Sequence, residues 1–312
     1  TVGETVQADT AVTATVTAPV FSTTLYKGNS SSWGSGQTQN VDTGINLDDG
    51  DGLIIFKQRT GSQPWRWHDT IRGLGYGLES HNANAQADYS DHLTSFTDTT
   101  FTVGAGFPYN QMSGADPNNL EKHVAWTFRK APGFFDIVAY SGNGSTNQEF
   151  SHSLGSMPGM VIIKNLSRNS DWFVWVDDNI STLEGTLNTY DDFGYNVIGT
   201  VTDTTVQTLY ANQFSTNYPG DDYVAYIFAK DTPGLIKCGS YSSSGETVNL
   251  GFRPQWVMIK SVDNNAQYTG DWRIVDTARG IVNGDGDINL WPNEDRAENA
   301  GSFAQVMSLN DN

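Results

Sequence analysis

The sequence predicts an all-β protein made of tandem sandwich modules, and three observations carry that expectation. Short runs rich in β-branched and aromatic residues recur along the 312 residues, each bounded by Gly, Asn, Asp or Pro. No window of a dozen residues holds a 3.6-residue apolar period. The same texture returns about every 100 residues.

Residues 1–20 contain no aromatic side chain and, from Thr10, alternate mainly between Thr and Val or Ala. Such small side chains bury little apolar area, so this stretch reads as an extended N-terminal arm, an edge strand or a linker. Beyond it the strand candidates are Leu53–Lys57, Val124–Phe128, Met160–Lys164, Trp172–Val176, Tyr223–Phe228 and Trp256–Lys260.

The repeat is visible in their ends. Lys57, Lys164 and Lys260 each close a strand and precede a tryptophan, Trp65, Trp172 and Trp272; the spacings are 8, 8 and 12 residues, with an insertion around Asn264–Tyr268 in the third. HVAWTFRKAPG (123–133) answers YVAYIFAKDTPG (223–234), with Ala125 and Ala225, and Phe128 and Phe228, both 100 residues apart. The expected modules are therefore 21–134, 135–235 and 236–312. SLNDN (308–312) aligns with SFTDT (95–99), so the third module is incomplete: the strands matching 101–130 are missing from it. The favoured expectation is a natural chain that continues past Asn312; strands donated by the arm or by a neighbouring chain are the alternatives.

Composition narrows the function. Asp and Glu number 35 against 17 Lys and Arg, a net charge of −18 with pI near 4.4, which argues against nucleic acid as a partner. No run approaches the roughly 18 apolar residues of a membrane helix. The single cysteine, Cys238, excludes an intrachain disulfide and reads as a buried structural thiol at the start of a strand.

The sharpest motif is Trp-x-x-x-Asp-x-x-Arg-Gly, present as Trp65, Asp69, Arg72, Gly73 and again, 207 residues later, as Trp272, Asp276, Arg279, Gly280. Asp and Arg three apart can close a charge-assisted bond across a turn, with Gly taking a positive φ. Because the motif recurs with the fold, it reads as a structural turn. The second module keeps Trp172 but moves the acid to Asp177 and has no Arg-Gly.

The same reasoning assigns the repeated Trp65, Trp172 and Trp272 to the core. Trp33, Trp67 and Trp291 lie in module-specific polar surroundings and are the candidates for exposed sugar-stacking faces, although a buried or interface role is the plainer reading for each. Two acidic turns present oxygens at alternate positions as Ca²⁺ loops do: Asp48, Asp49, Asp51 and Asp285, Asp287, Asn289; solvated turn acids are the plainer reading. Glu79, Glu121, Glu149, Glu184 and Glu246 fall in non-equivalent loops and single out no glycosidase pair. His68, His81, His92, His123 and His152 show no metal-ligand spacing and read as surface or turn residues. The expectation is a binding or structural protein without a cofactor, not an enzyme.

FSTTLYKGNSSS, LTSFTDTTFTVG, VAWTFRKAPGFFDIVAYSGNG, SHSLGSMPGMVIIK and GFRPQWVMIKS with DWRIVDTARG resemble tandem modules in large virion proteins of tailed bacteriophages, especially marine and cyanobacterial ones. The resemblance covers residues 21–312. It implies lectin-type or jelly-roll-like β-sandwiches in a tail fibre or host-recognition component that binds cell-surface glycan non-covalently. It places the protein on the extracellular particle, among other virion proteins. Open edges and a light charge density in the repeats would permit a homo-oligomer, trimeric or larger in symmetry. A head decoration or head fibre is the alternative, and a polysaccharide depolymerase a second one.

Overall fold

The computed structural model describes residues 18–29, 37–48, 50–105, 110, 122–177, 182–191, 193–209, 214–242, 245–262, 270–281 and 288–300. These residues are all-β and contain no helix. The first module supplies β1 (Phe21–Lys27), β2 (Gln39–Asp42), β3 (Gly52–Gln58), β4 (Arg66–Asp69), β5 (Tyr76–Gly77), β6 (Ala87–Asp88), β7 (Leu93–Phe96), β8 (Thr100–Val103) and β9 (Lys122–Arg129). The second supplies β10 (Phe135–Ser141), β11 (Gln148–Ser151), β12 (Pro158–Asn165), β13 (Phe173–Asp177), β14 (Thr182–Thr186), β15 (Ile198–Val201), β16 (Thr205–Thr208) and β17 (Asp222–Ala229). The remaining strands are β18 (Asp231–Thr232), β19 (Ile236–Lys237), β20 (Trp256–Ile259), β21 (Arg273–Asp276), β22 (Ile288–Asn289) and β23 (Asn299–Ala300).

Modules one and two are built alike. Each has an inner antiparallel sheet, ordered β1-β9-β3-β4 in the first and β10-β17-β12-β13-β14 in the second. Each has a three-stranded outer sheet, β2-β8-β7 and β11-β16-β15. The registers coincide: Phe21 faces Phe128 as Phe135 faces Phe228, and Lys57 faces Val124 as Lys164 faces Val224.

The near-continuous apolar runs LIIF and MVII follow from burial on both faces of the inner sheet. Ile54, Phe56 and Ala125 pack outward against Phe101 and Val103, whereas Leu53, Ile55 and Trp126 point inward. In module two, Val161, Ile163 and Ala225 pack outward, and Met160, Ile162 and Tyr226 inward. A strand with one wet face would alternate instead.

The inward faces of all three modules meet in one core, where Trp65, Trp126, Trp172, Tyr226, Trp272 and Ile274 lie in a single cluster. The sandwiches are thus grouped around a common apolar centre.

The third module differs. Among the described residues β20 pairs with β21 alone, so it lacks the partner that β9 gives β3 and β17 gives β12. All four residues of β20 are half-buried, although every residue of β3 and β12 is buried.

Candidate functional site

Each module carries a lysine within one residue of the end of β3, β12 or β20 that holds the following loop. The Lys57 ammonium donates to the Gln63 carbonyl at 2.7 Å, Lys164 to that of Ser170 at 2.9 Å, and Lys260 to that of Gly270. The acceptor is always two residues before the module's tryptophan, so the four extra residues of the third loop leave its end unchanged. Lys57 and Lys164 are buried, and burial lowers them to about 7 and about 8. A lysine suits this place because one ammonium satisfies several converging carbonyls; Lys57 reaches Asp295 O at 2.9 Å and Lys164 reaches Ala83 O at 3.3 Å, each in another module.

The loop so fixed delivers the indole to a neighbour. Trp65 Nε1 of module one donates to Glu294 O of module three at 2.8 Å. Trp272 Nε1 of module three donates to Thr186 O of module two at 2.9 Å. Trp172 Nε1 of module two donates to Glu79 O of module one at 2.9 Å. The three bonds run one way round a closed cycle, the relation expected of an approximate three-fold rotation.

A second set of contacts follows the same sense. Tyr226 Oη of β17 donates to Asp69 Oδ2 at 2.8 Å, module two to one, and Trp126 Nε1 of β9 donates to Asp276 Oδ2 at 3.1 Å, module one to three. Tyr226 and Trp126 are equivalent residues, as are Asp69 and Asp276. Each carboxylate also closes the expected turn. Asp69 accepts from Arg72 N at 2.8 Å and Nε at 2.5 Å, and Asp276 from Arg279 N at 2.8 Å and Nε at 2.6 Å. Gly73 (φ 89°) and Gly280 (φ 117°) carry the chain out of the turn in backbone that L side chains avoid.

In module two the position matching Asp69 and Asp276 is Val176, half-buried near the end of β13. Asp177 instead faces outward to Lys230, at 2.7 Å.

Several expected site residues lie elsewhere than the sequence suggested. Trp67 is buried, tilted against Trp172 and Tyr226 at 5.0 and 5.3 Å. Trp291 is also buried, and the Arg296 guanidinium covers its ring at 3.9 Å. Neither offers an open face to a sugar: their polar sequence neighbours belong to loops that fold over the shared core. Trp33, Asp285, Asp287 and Asp49 lie outside the described residues. Asn289 is buried in β22, where no loop presents it to solvent. Among the described residues no group of three or more His, Cys, Asp or Glu is placed to hold a metal ion.

The histidines also correct the reading. His68, His92, His123 and His152 are buried and His81 is half-buried, because they sit on sheet faces and under loops. Cys238 is half-buried just past β19, and burial pushes its thiol up to about 12. Glu79 is no free acid: Arg66, Tyr89 Oη and the Asn82 amide surround its carboxylate. Glu184 is buried with its carboxylate on Val197 N and Ile198 N; burial raises it and those bonds oppose the rise.

His68 carries a pH prediction. Burial lowers it to about 3, against the opposing pull of its 2.8 Å contact with Leu74 O. Between pH 6.5 and about 3 the unfolded chain therefore binds the proton that the fold refuses. Stability is expected to be intact above pH 6.5 and to fall steadily below it. Urea midpoints across that range should show a shallower slope for His68→Gln; an unchanged slope counts against the assignment.

A surface constellation remains that the sequence did not point to. Arg168 lies over the rings of Tyr218 (4.1 Å) and Phe214 (5.0 Å), and its fork engages the Asp221 carboxylate, with Nη2 to Oδ1 at 2.6 Å. Asn165 Nδ2 donates to the same carboxylate at 2.7 Å and to Phe214 O at 2.8 Å. Burial alone would raise Asp221, but Arg168 and Asn165 hold it below the usual carboxylate range. Phe214 is 49% exposed although its backbone is pinned. The only sequence signal was a dense aromatic and Asn run before β17, with no repeat partner to mark it.

Residues 17–311 match the family model described as a domain of unknown function, DUF7483. The chain belongs to that family. The match spans all three DUF7483 modules, in keeping with their common core. No curated protein and no solved structure matches the chain.

Proposed function

We propose that this DUF7483 chain is a structural virion protein of a tailed phage, acting as a tail-fibre or host-recognition component that binds cell-surface glycan without chemistry. The resemblance of residues 21–312 to phage virion modules supplies the particle. The observation that carries the binding role is the Arg168–Phe214–Tyr218–Asp221 constellation. It joins exposed aromatic surface to a guanidinium fixed by the Asp221 carboxylate, a mix of apolar area and a placed polar group that can orient a small ligand. The closed three-module core supports the structural role, since it holds such a surface rigidly.

Immunogold labelling of intact particles with antibody to this chain tests the location. Label at fibres or tail tip supports host recognition; label spread over the head favours the decoration or head-fibre reading and overturns the first. Phe214→Ala tests the surface. Its side chain is half in solvent and its hydrogen bond is made by the backbone, so the melting temperature should move little. Competition of the purified protein with phage adsorption should weaken roughly tenfold, as for a central aromatic contact. Undiminished competition removes this surface from the proposal.

A further inference from the structure

We propose that the end of the module-one inner sheet where Lys27, Lys122 and Arg59 meet is a second ligand site, which binds the acidic group of a charged sugar residue. Three adjacent strands deliver the cations. Lys27 closes β1 and lies directly opposite Lys122, which opens β9. Arg59 follows β3, and its backbone N donates to Lys122 O at 2.7 Å. The three side chains therefore start from neighbouring positions in one row. They are three of only 17 Lys and Arg in a chain of net charge −18.

The fold does not call for them. Module two has the same row in the same register: Ser141 faces Asp222, and Leu166 N donates to Asp222 O at 2.8 Å. There Ser141 Oγ donates to Asp222 Oδ1 at 2.7 Å, so a hydrogen bond joins the two strand ends. Module one puts two ammonium groups in those places, and like charges directly across a strand pair oppose folding. A set of side chains that costs stability and does not recur with the module is not architecture. Both lysines are exposed, and neither has an ion pair among the described residues. Arg59 is half-buried, and Glu298 accepts from its Nε at 2.7 Å, which holds it beside them.

The row borders a concavity of about 260 Å³ lined by Leu25, Tyr26, Lys27, Arg59 and Lys122. Leu25 shares a face of β1 with Lys27, two residues away, and is 39% exposed. Apolar surface beside unmatched cations suits a ring with a C–H face and an acidic substituent. The ring lies on Leu25 and its oxyanion accepts from the ammonium groups. The hollow is smaller than the clefts that hold drug-sized ligands, so it takes one ring. A bound anion also removes the repulsion between β1 and β9. Nucleic acid needs a longer basic track than three residues in an acidic chain. That the anion is carried by a sugar rests on the glycan-binding reading above; that the site takes an anion does not.

The probes are trigalacturonate, a sulfated carrageenan oligosaccharide free of uronate, and neutral cellotriose, each titrated into the intact chain by calorimetry. Saturable binding of at least one acidic probe is expected, and the two arms tell carboxylate from sulfate. It should weaken steeply between about 20 and about 200 mM salt, with amide shifts at residues 25–27, 59 and 122. Lys122→Gln should weaken it about threefold, the scale of one exposed ion pair, without lowering the melting temperature. Lys27→Ser with Lys122→Asp installs the module-two pair; it should fold and bind about tenfold more weakly or worse. Phe214→Ala should leave this binding unchanged, which separates it from the Arg168 surface. No binding of either acid, equal binding of cellotriose, or full binding by the double variant overturns the proposal. So does self-association of the chain that the double variant abolishes, because the lysines then meet another copy.

Discussion

Asp276→Ala is expected to lower the unfolding free energy by about 3–5 kcal/mol, the range for removing one partner of a buried ion pair. The Arg279 side chain and the Asp276 carboxylate are both fully buried. Without the carboxylate the guanidinium keeps Ile274 O at 3.0 Å and only the more distant Glu298 carboxylate, at 3.9 Å, and Trp126 Nε1 loses its acceptor across the module boundary.

Module two shows how the same position does without charge. Asp276→Val combined with Arg279→Leu and Trp126→Phe removes the acid, the base and the donor together. That triple variant should recover more than half of the loss, since no polar group is stranded. Urea denaturation of the two variants checks both figures. A loss below about 1 kcal/mol for Asp276→Ala would mean that water reaches the pair, as at a surface salt bridge.

Trp172→Ala is expected to cost a similar 3–5 kcal/mol, the usual penalty for emptying a large aromatic site. Trp172 is 0% exposed and packs on Trp67 and Tyr226. Trp172→Phe should cost less, about 1–2 kcal/mol, mainly from the Glu79 carbonyl left without its donor. The two other indole bonds still tie module three to both of its neighbours, so the Phe variant should stay folded. Its weakness should be local: limited proteolysis is expected to open the 79–92 and 165–172 loops first. Cleavage beside Glu294 or Thr186, at the two intact indole contacts, as early as at these loops would contradict a bond-by-bond cycle.

Much of this was legible in the sequence, and for a physical reason. Residues that do the same job in each module had to recur, so Lys57, Lys164 and Lys260, the three tryptophans and the Asp-Arg-Gly turns announced themselves by spacing. The strand runs were plain because both faces of the inner sheets are buried.

What stayed hidden was anything set by the meeting of modules. Trp67 and Trp291 have polar chain neighbours, which left an exposed face open beside the buried reading, and loops from elsewhere close over them. The buried histidines misled for the same reason. Phe214 and Asp221 lie 46 and 53 residues after Arg168 along the chain, so no local pattern could join them to it.

The cycle of indole bonds makes one polypeptide do what three identical subunits do in a ring. Covalent linkage keeps the modules at an effective concentration on the order of millimolar, so closure does not depend on how much protein is present. It also frees the modules from having to match. In a ring of identical subunits any surface appears three times; here the Arg168 constellation appears once and the acid turn twice. A ligand that docks on module two meets the chain with a valency of one, and avidity has to come from the number of chains brought together.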